Sequence, residues 1–197
     1  MFIFAVRYFK KQIIMRKLLP EEMGRATMEE FKSQRKLPLI VILDSVRSMN
    51  NVGSVFRTCD AFGIETLYLC GITATPPHKE ITKTALGATE SVEWRYAENC
   101  TEVVSRLKNE GWKVFAVEQV DESEMLTEFE FEEEGKYAVV LGNEVFGVDD
   151  SVLALCDGAI EIPQVGTKHS LNVSVAAGVI MWDCFRQMQK KQSHPLR

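Results

Sequence analysis

Long apolar runs are missing from this sequence. Wholly apolar stretches such as Met1–Val6 and Leu39–Leu43 fall far short of the roughly 20 residues a helix needs to cross a bilayer, so no membrane association is expected. Cysteine pairs are missing too. Cys59, Cys70, Cys100, Cys156 and Cys184 stand singly in mostly apolar contexts, with no Cys-x-x-Cys. An odd, scattered set of thiols fits small core residues in a reducing compartment, so a cytoplasmic protein is expected. The three histidines never fall at ligand spacing with those cysteines, and no metal is expected. Neither Gly-x-x-x-x-Gly-Lys-Ser/Thr nor Gly-x-Gly-x-x-Gly occurs, which sets aside a P-loop and a dinucleotide-binding turn. Internal repeats and low-complexity linkers are likewise absent.

The 197 residues suffice for one domain with a full hydrophobic core, or for a domain with a short arm. An apolar fraction of 46% and a charged fraction of 26% are those of a soluble globular chain. A net charge of −5 looks unsuited to nucleic acid, yet the charge is unevenly spread. Residues 1–36 hold nine Lys/Arg against four Glu, whereas Asp121–Glu134 holds eight acids and no base. The remainder is about neutral, and a basic arm on a neutral body suits a polyanion. The acidic run reads as a solvated loop or helix pointing away from any nucleic acid. Residues 1–14 make a poor secretory signal and lack the serines of a transit peptide. They read as an extension or as a start placed too early, with Met15 opening a more ordinary beginning. Residues 20–35 read as one or two short helices, with Leu18, Leu19, Met23, Met28 and Phe31 as the apolar side.

From Leu37 onward the pattern is regular. Residues 38–44, 66–70, 91–96, 113–117 and 137–141, with a short run at Ile160 and Ile162, read as six strands. Between them 51–62, 81–86, 101–109 and 150–156 read as helical, with Val55, Cys59 and Phe62 on one side of the first. The expected fold class is α/β, a mostly parallel six-stranded sheet with helices on both faces. The domain would span 37–189, behind a basic arm at 1–36 and before a short tail at 190–197. Ligands of such sheets sit beyond the carboxyl ends of strands, so chemistry is sought in the loops there.

Three of those corners carry polar clusters. In the first, Asp44–Arg57, the spacing Asn51-x-Gly53-x-x-x-Arg57 puts Gly53 and Arg57 on one helical face, away from Val55 and Cys59. Arg57 then projects toward the N-terminal loop, and its planar fork suits phosphate. Gly53 leaves room for a backbone or a phosphate to come close. In the second, Leu141-Gly142-Asn143-Glu144-Val145-Phe146-Gly147, two glycines bracket an acid directly after a buried strand. Spacing leaves Glu144 free to orient Arg57, to cap the next helix or to hold a ligand hydroxyl. In the third, Ile160–Trp182, a break at Pro163 and a polar loop Gln164–His169 lead to a helix opened by Ser170 as N-cap. Leu171, Val175, Val179 and Trp182 form its expected buried face, with Asn172 and Ser174 opposite. A helix N-terminus beside a polar loop offers backbone N–H groups to a ligand.

Asn51-Val-Gly-Ser-Val-Phe-Arg57, Leu141-Gly-Asn-Glu144-x-x-Gly147 and Ile162-Pro-Gln-x-Gly-x-x-x-Ser170-Leu-Asn172-Val-Ser-Val-Ala resemble, in that order, three motifs of the SpoU/TrmH family. These are RNA ribose 2′-O-methyltransferases of the SPOUT superfamily, and the resemblance covers about residues 38 to 186. It implies a deep trefoil knot in the carboxyl-terminal third, a feature nearly absent from other folds. It implies S-adenosylmethionine held there by backbone groups of Gly142, Ile162 and Leu171, with Leu141, Gln164 and Ser170 alongside. Arg57 becomes the catalytic arginine, and Asn51, Glu144, Ser170 and Asn172 shape its site. A guanidinium is not readily a proton acceptor. Arg57 is therefore read as gripping the RNA phosphate and sugar hydroxyl, with a base role left open. The resemblance also implies a homodimer whose active site is completed across the interface.

Family members often carry an amino-terminal RNA-binding domain or a carboxyl-terminal extension; here a basic arm and a short tail stand in their place. RNA contacts are accordingly expected from Arg16, Lys17, Arg25, Lys32, Arg35 and Lys36, with Lys79, Lys83 and Lys168. The RNA is tRNA or rRNA, with a lean to tRNA. His78 and His169 read as neutral loop residues or RNA contacts. Two other readings stay open: a base methyltransferase of the same superfamily, and a catalytically idle RNA-binding or assembly factor that keeps the fold.

Overall fold

Residues 39–44 are buried without a break because the strand they belong to, β1 (Leu37–Asp44), lies inside the sheet with helices over both faces. The computed structural model describes residues 16–191; the readings of residues 1–14 and of residues 192–197 fall outside the described residues. The other strands are β2 (Ile64–Cys70), β3 (Trp94–Ala97), β4 (Lys113–Val117), β5 (Glu124–Met125), β6 (Tyr137–Leu141) and β7 (Gly158–Glu161). They form one sheet in the order β3-β2-β1-β6-β4-β7-β5, and every neighbouring pair is parallel.

Alternation along β1 divides the interior into two cores. Leu39, Val41 and Leu43 point into one, beside α2 (Met49–Phe62), α3 (Lys79–Ala85), α4 (Ala88–Ser91) and α7 (Val173–Lys191). Ile40 and Ile42 point into the other, which α5 (Cys100–Asn109) and α6 (Asp150–Leu153) cover. Helices thus lie on both faces, as expected. Val55 and Cys59 of α2 are buried and Phe62 is half-buried. Burial pushes the Cys156 thiol up to about 11 and the Cys59 thiol higher still, which fits thiols that pack rather than react.

Four local expectations are corrected. The sheet has seven strands, because the acidic run contributes β5, which pairs with β7. That run is not simply solvated. Leu126, Phe129 and Phe131 turn inward, and Phe129 and Phe131 meet Phe115 and Tyr137 edge to face, with centroids 4.9–5.0 Å apart in the nearest pairs. The acids between them stay outside, so charge and core share one segment by alternation. Next, α7 starts at Val173, not Ser170, and buries Val173, Ala177, Ile180, Met181, Cys184 and Met188. Of the face expected to be buried, Val179 packs partly against the core, whereas Leu171, Val175 and Trp182 are 38%, 51% and 52% exposed. Both faces are apolar at helical spacing, and packing on α2 chose between them. Third, the region 20–35 holds two short helical pieces as expected, a 3-10 turn at Pro20–Met23 and α1 (Met28–Ser33), but of its apolar side only Met23 and Phe31 are half-buried. Leu18, Leu19 and Met28 are exposed there, and no residue of α1 is buried. A capping box, Thr27 with Glu30, holds α1 in place of an apolar face. Finally, β3 begins at Trp94, since Ser91 closes α4 and its hydroxyl donates to Asp60 at 2.5 Å.

Phe131 is fully buried although it sits among five glutamates of the run Glu128–Glu134. Phe131→Ala should therefore destabilise the fold by about 3–5 kcal/mol. Urea unfolding would read this as a lowered midpoint at unchanged slope; a change within error would mean the segment is solvated after all.

Candidate functional site

The second corner is shaped by glycine. A side chain at Gly142 would put its Cβ 2.0 Å from the Gly147 carbonyl carbon, so only hydrogen fits where β6 gives way to its loop. Asn143 and Gly147 exchange backbone hydrogen bonds of 2.9 Å, closing the loop into a tight hairpin. The Asn143 amide donates to the Ser45 carbonyl at 2.8 Å, tying this hairpin to the end of β1. Glu144 is thereby presented to the start of α2. Its carboxylate accepts from the backbone N–H groups of Arg47 and Ser48, both at 2.9 Å, and from the Asn51 amide at 3.0 Å. A carboxylate at a helix N-terminus also meets the positive end of the helix dipole. Burial alone would raise the affinity of Glu144 for its proton, yet these donors hold it below the ordinary carboxylate range. Of the three roles open to Glu144 in the sequence, this geometry selects the helix cap, on α2 and not on the next helix; Glu144 does not touch Arg57.

Asn51 links onward. Its side-chain oxygen accepts from the Asn172 amide at 3.2 Å, and the Asn172 oxygen accepts from the backbone N–H (2.9 Å) and the hydroxyl (2.7 Å) of Ser174. Asn172 thus does the capping work expected of Ser170. Glu144, Asn51 and Asn172 form one hydrogen-bonded chain through all three polar corners. Gly53 serves the packing of α3: a Cβ there would sit 2.1 Å from the Thr84 hydroxyl and 2.4 Å from the Ile81 carbonyl. Its close neighbours are the Thr84 hydroxyl and the backbone of α3.

Beside this chain opens a cleft of about 620 Å³, a volume ordinary for a small-molecule site. Leu141, Gly142, Ile162, Gln164, Ser170 and Leu171 all line it, as do Glu144, Asn172 and His169. Sequence reasoning missed the wall formed by Val117, Glu118 and Gln119 at the end of β4. The signal was there, a strand end followed by two polar residues, but it ran straight into the acidic stretch. The charged side chains of the lining, Glu118, Glu144 and Glu161, are all acidic, which suits a ligand that carries positive charge.

Arg57 lies elsewhere. It is exposed, six residues or about 9 Å along α2 from Asn51, and lines a second, wider groove of about 1240 Å³. Arg25, Arg35 and Lys36 line the same groove, so the arm and the arginine of the first corner do come together. Within one chain, Arg57 does not line the cleft. Two arm cations are already engaged: Arg16 grips Glu22 at 2.7 and 2.8 Å, and Lys36 donates to the Phe31 carbonyl and stands 3.2 Å over its ring. Lys17, Arg25, Lys32, Arg35, Lys79, Lys83 and Lys168 are exposed. His78 caps α3, accepting from the Glu80 N–H at 3.3 Å. Among the described residues no helix is long and apolar enough to cross a membrane.

The depressed proton affinity of Glu144 sets a pH dependence. The unfolded carboxyl takes up a proton near 4.5 and the folded one only at lower pH, so its stabilisation is present in full above 4.5 and is lost as the pH falls through the folded value. Urea midpoints measured from pH 6 down to pH 3 should fall less steeply for Glu144→Gln than for the unchanged protein. Parallel curves would remove the assigned hydrogen bonds.

Against known proteins, the family model described as the SpoU rRNA Methylase family matches residues 38–182. The tRNA (guanosine(18)-2′-O)-methyltransferase of Thermus thermophilus is 34% identical over 169 residues, which cover 86% of this chain and 85% of that protein. The crystal structure of the A. aeolicus TrmH/SpoU tRNA modifying enzyme superposes with a TM-score of 0.74 at 30% identity, covering 83% of this chain and 82% of that one. An AdoMet-bound rRNA methyltransferase from Sinorhizobium meliloti matches with a TM-score of 0.69 at 26% identity, over 77% of this chain and 57% of that one. With three motif corners joined around one cleft, and a family match running from β1 into α7, the chain belongs to the SpoU methylase family.

Proposed function

We propose that this protein transfers the methyl group of S-adenosylmethionine to a ribose 2′-hydroxyl of tRNA. The observation that carries this reading is the Glu144–Asn51–Asn172 chain, which fixes three loop ends around a cleft lined by the six residues expected to hold the donor. The donor fits the residues present. Gly142 keeps the wall free of a side chain, the lining acids suit a cation, and the exposed Ser170 and Leu171 precede the start of α7. Gly142, Ile162 and Leu171 would hold it through backbone groups, with Leu141, Gln164 and Ser170 alongside. When bound, it supplies a sulfonium methyl to an oxygen nucleophile. The chain's part is to position the two partners and to exclude water. Asn51, Glu144 and Asn172 keep the cleft in shape, and Arg57 grips the phosphate and sugar of the target nucleotide. A tRNA substrate is favoured by the relatives, which include a tRNA (guanosine(18)-2′-O)-methyltransferase. The arm holds the RNA through Lys17, Arg25, Lys32 and Arg35, with Lys79, Lys83 and Lys168; Arg16 and Lys36, already committed within the chain, contribute less. We read the protein as cytoplasmic and metal-free.

Arg57 reaches a cleft by way of a second subunit. The apolar face left open by Val175 and Trp182 of α7, with Leu171 just before it and Phe62 beside Trp182 (ring centroids 5.9 Å apart), is the surface a like subunit would cover. In this homodimer the Arg57 of one subunit faces the cleft of the other. Threading of the segment from β6 to α7 as the trefoil knot accords with the crossing of α7 back onto α2 and β1.

Incubation with tRNA and labelled S-adenosylmethionine should give a product whose alkaline ladder has a gap at one nucleotide; label without a gap would mean methylation of a base, and no label an idle factor. Arg57→Ala should lower the rate of methyl transfer about 100-fold or more. Mixing Arg57→Ala with the cleft variant Gly142→Val should restore about a quarter of full activity, because half the dimers are then mixed and each has one complete site. No recovery on mixing would place Arg57 in its own subunit's site or outside catalysis.

A further inference from the structure

We propose that Glu118 recognises the ribose hydroxyls of the donor's adenosine, an inference that rests on the donor reading above. Glu118 is the first residue beyond β4, and β4 lies between β6 and β7, so its side chain stands at the centre of the cleft's sheet wall. Its backbone N–H donates to the Ile160 carbonyl at 3.2 Å, which anchors it to β7. One carboxylate oxygen accepts from the Gln119 N–H at 3.0 Å and the other from the Val148 N–H at 3.2 Å. Each oxygen therefore has one fixed donor and keeps a lone pair.

The neighbouring loop makes way for this carboxylate. Gly147 has φ +72°, and a Cβ there would come within 2.4 Å of the Glu118 Oε2. A glycine is required at this position both by its backbone and by the acid packed on it. The other acids of the lining are occupied differently: Glu144 by three donors from the start of α2, and Glu161 by the Ser123 hydroxyl at 2.8 Å. No cation pairs with Glu118 among the described residues.

Two acceptor oxygens, held side by side and facing a cleft without a lining Lys or Arg, fit a pair of adjacent hydroxyl donors. Within the donor molecule only the ribose offers a cis-diol. Acidic residues at strand carboxyl ends take the same role toward ribose in other parallel-sheet proteins. The competing role is a staple that fastens the Gly147–Val148 turn and touches no ligand.

Calorimetry with S-adenosylhomocysteine and its 2′-deoxy and 3′-deoxy analogues separates the two. The unchanged protein should bind the parent about 10-fold or more tightly than at least one deoxy analogue, as expected for a charge-assisted hydrogen bond. Glu118→Ala should lose about that factor for the parent and little for the analogue, so that the two affinities converge. Glu118→Gln, which keeps shape and one acceptor, should fall between, and it serves as the test if the alanine variant does not fold. An equal loss for parent and analogues would assign Glu118 to the turn alone. Deoxy analogues that bind the unchanged protein as well as the parent does would end the proposal outright. Absence of any binding by the unchanged protein would instead sink the donor reading, and this inference with it.

Discussion

The site depends on one carboxylate at the rim of the cleft. Glu144 closes the amino end of α2 by taking the adjacent backbone N–H groups of Arg47 and Ser48 and the side-chain amide of Asn51. Through Asn51 the same contact reaches Asn172, which caps α7. A helix that packs on one core and a loop that leaves the opposite side of the sheet are thus fixed relative to each other by hydrogen bonds. Removing one member would free the loop ends it joins, while water at the open edge of the cleft can take up the released polar groups. The shape of the cleft is therefore a property of this polar chain as much as of the apolar core.

Catalytic geometry divides in an unusual way within a single chain. The cleft opens beyond the carboxyl ends of β4, β6 and β7, whereas Arg57 and the arm share a groove further along α2. The proposed homodimer would give a reason for that division. One face of α7 completes the core and the other leaves Val175 and Trp182 exposed, the surface that the proposed homodimer would cover.

The strands and the cleft lining were legible because both leave local traces. A strand buried on both faces reads as a continuous apolar run, as in Leu39–Leu43, and a ligand wall reads as glycine and polar residues directly after such a run, as in Leu141–Gly147. Other features leave no local trace. Leu171, Val175, Val179 and Trp182 have the same spacing as the residues that α7 really buries, so periodicity could not choose the face. Acid counting hid Phe129 and Phe131, although their alternation with glutamate is itself the sign of a segment with one side inward. The contact of Asn51 with Glu144 spans 93 positions, and that of Asn51 with Asn172 spans 121, so neither can be read from spacing. The motif resemblance pointed to these residues without saying that they touch.

The short edge strand has one more consequence. β5 is only two residues long, it ends the sheet on its side, and the acids of the run Asp121–Glu134 surround it. Such an edge offers almost no free backbone for another chain to extend, and a like segment approaching it would meet its own charge. The glutamates around this edge thereby act as a guard against sheet-to-sheet aggregation.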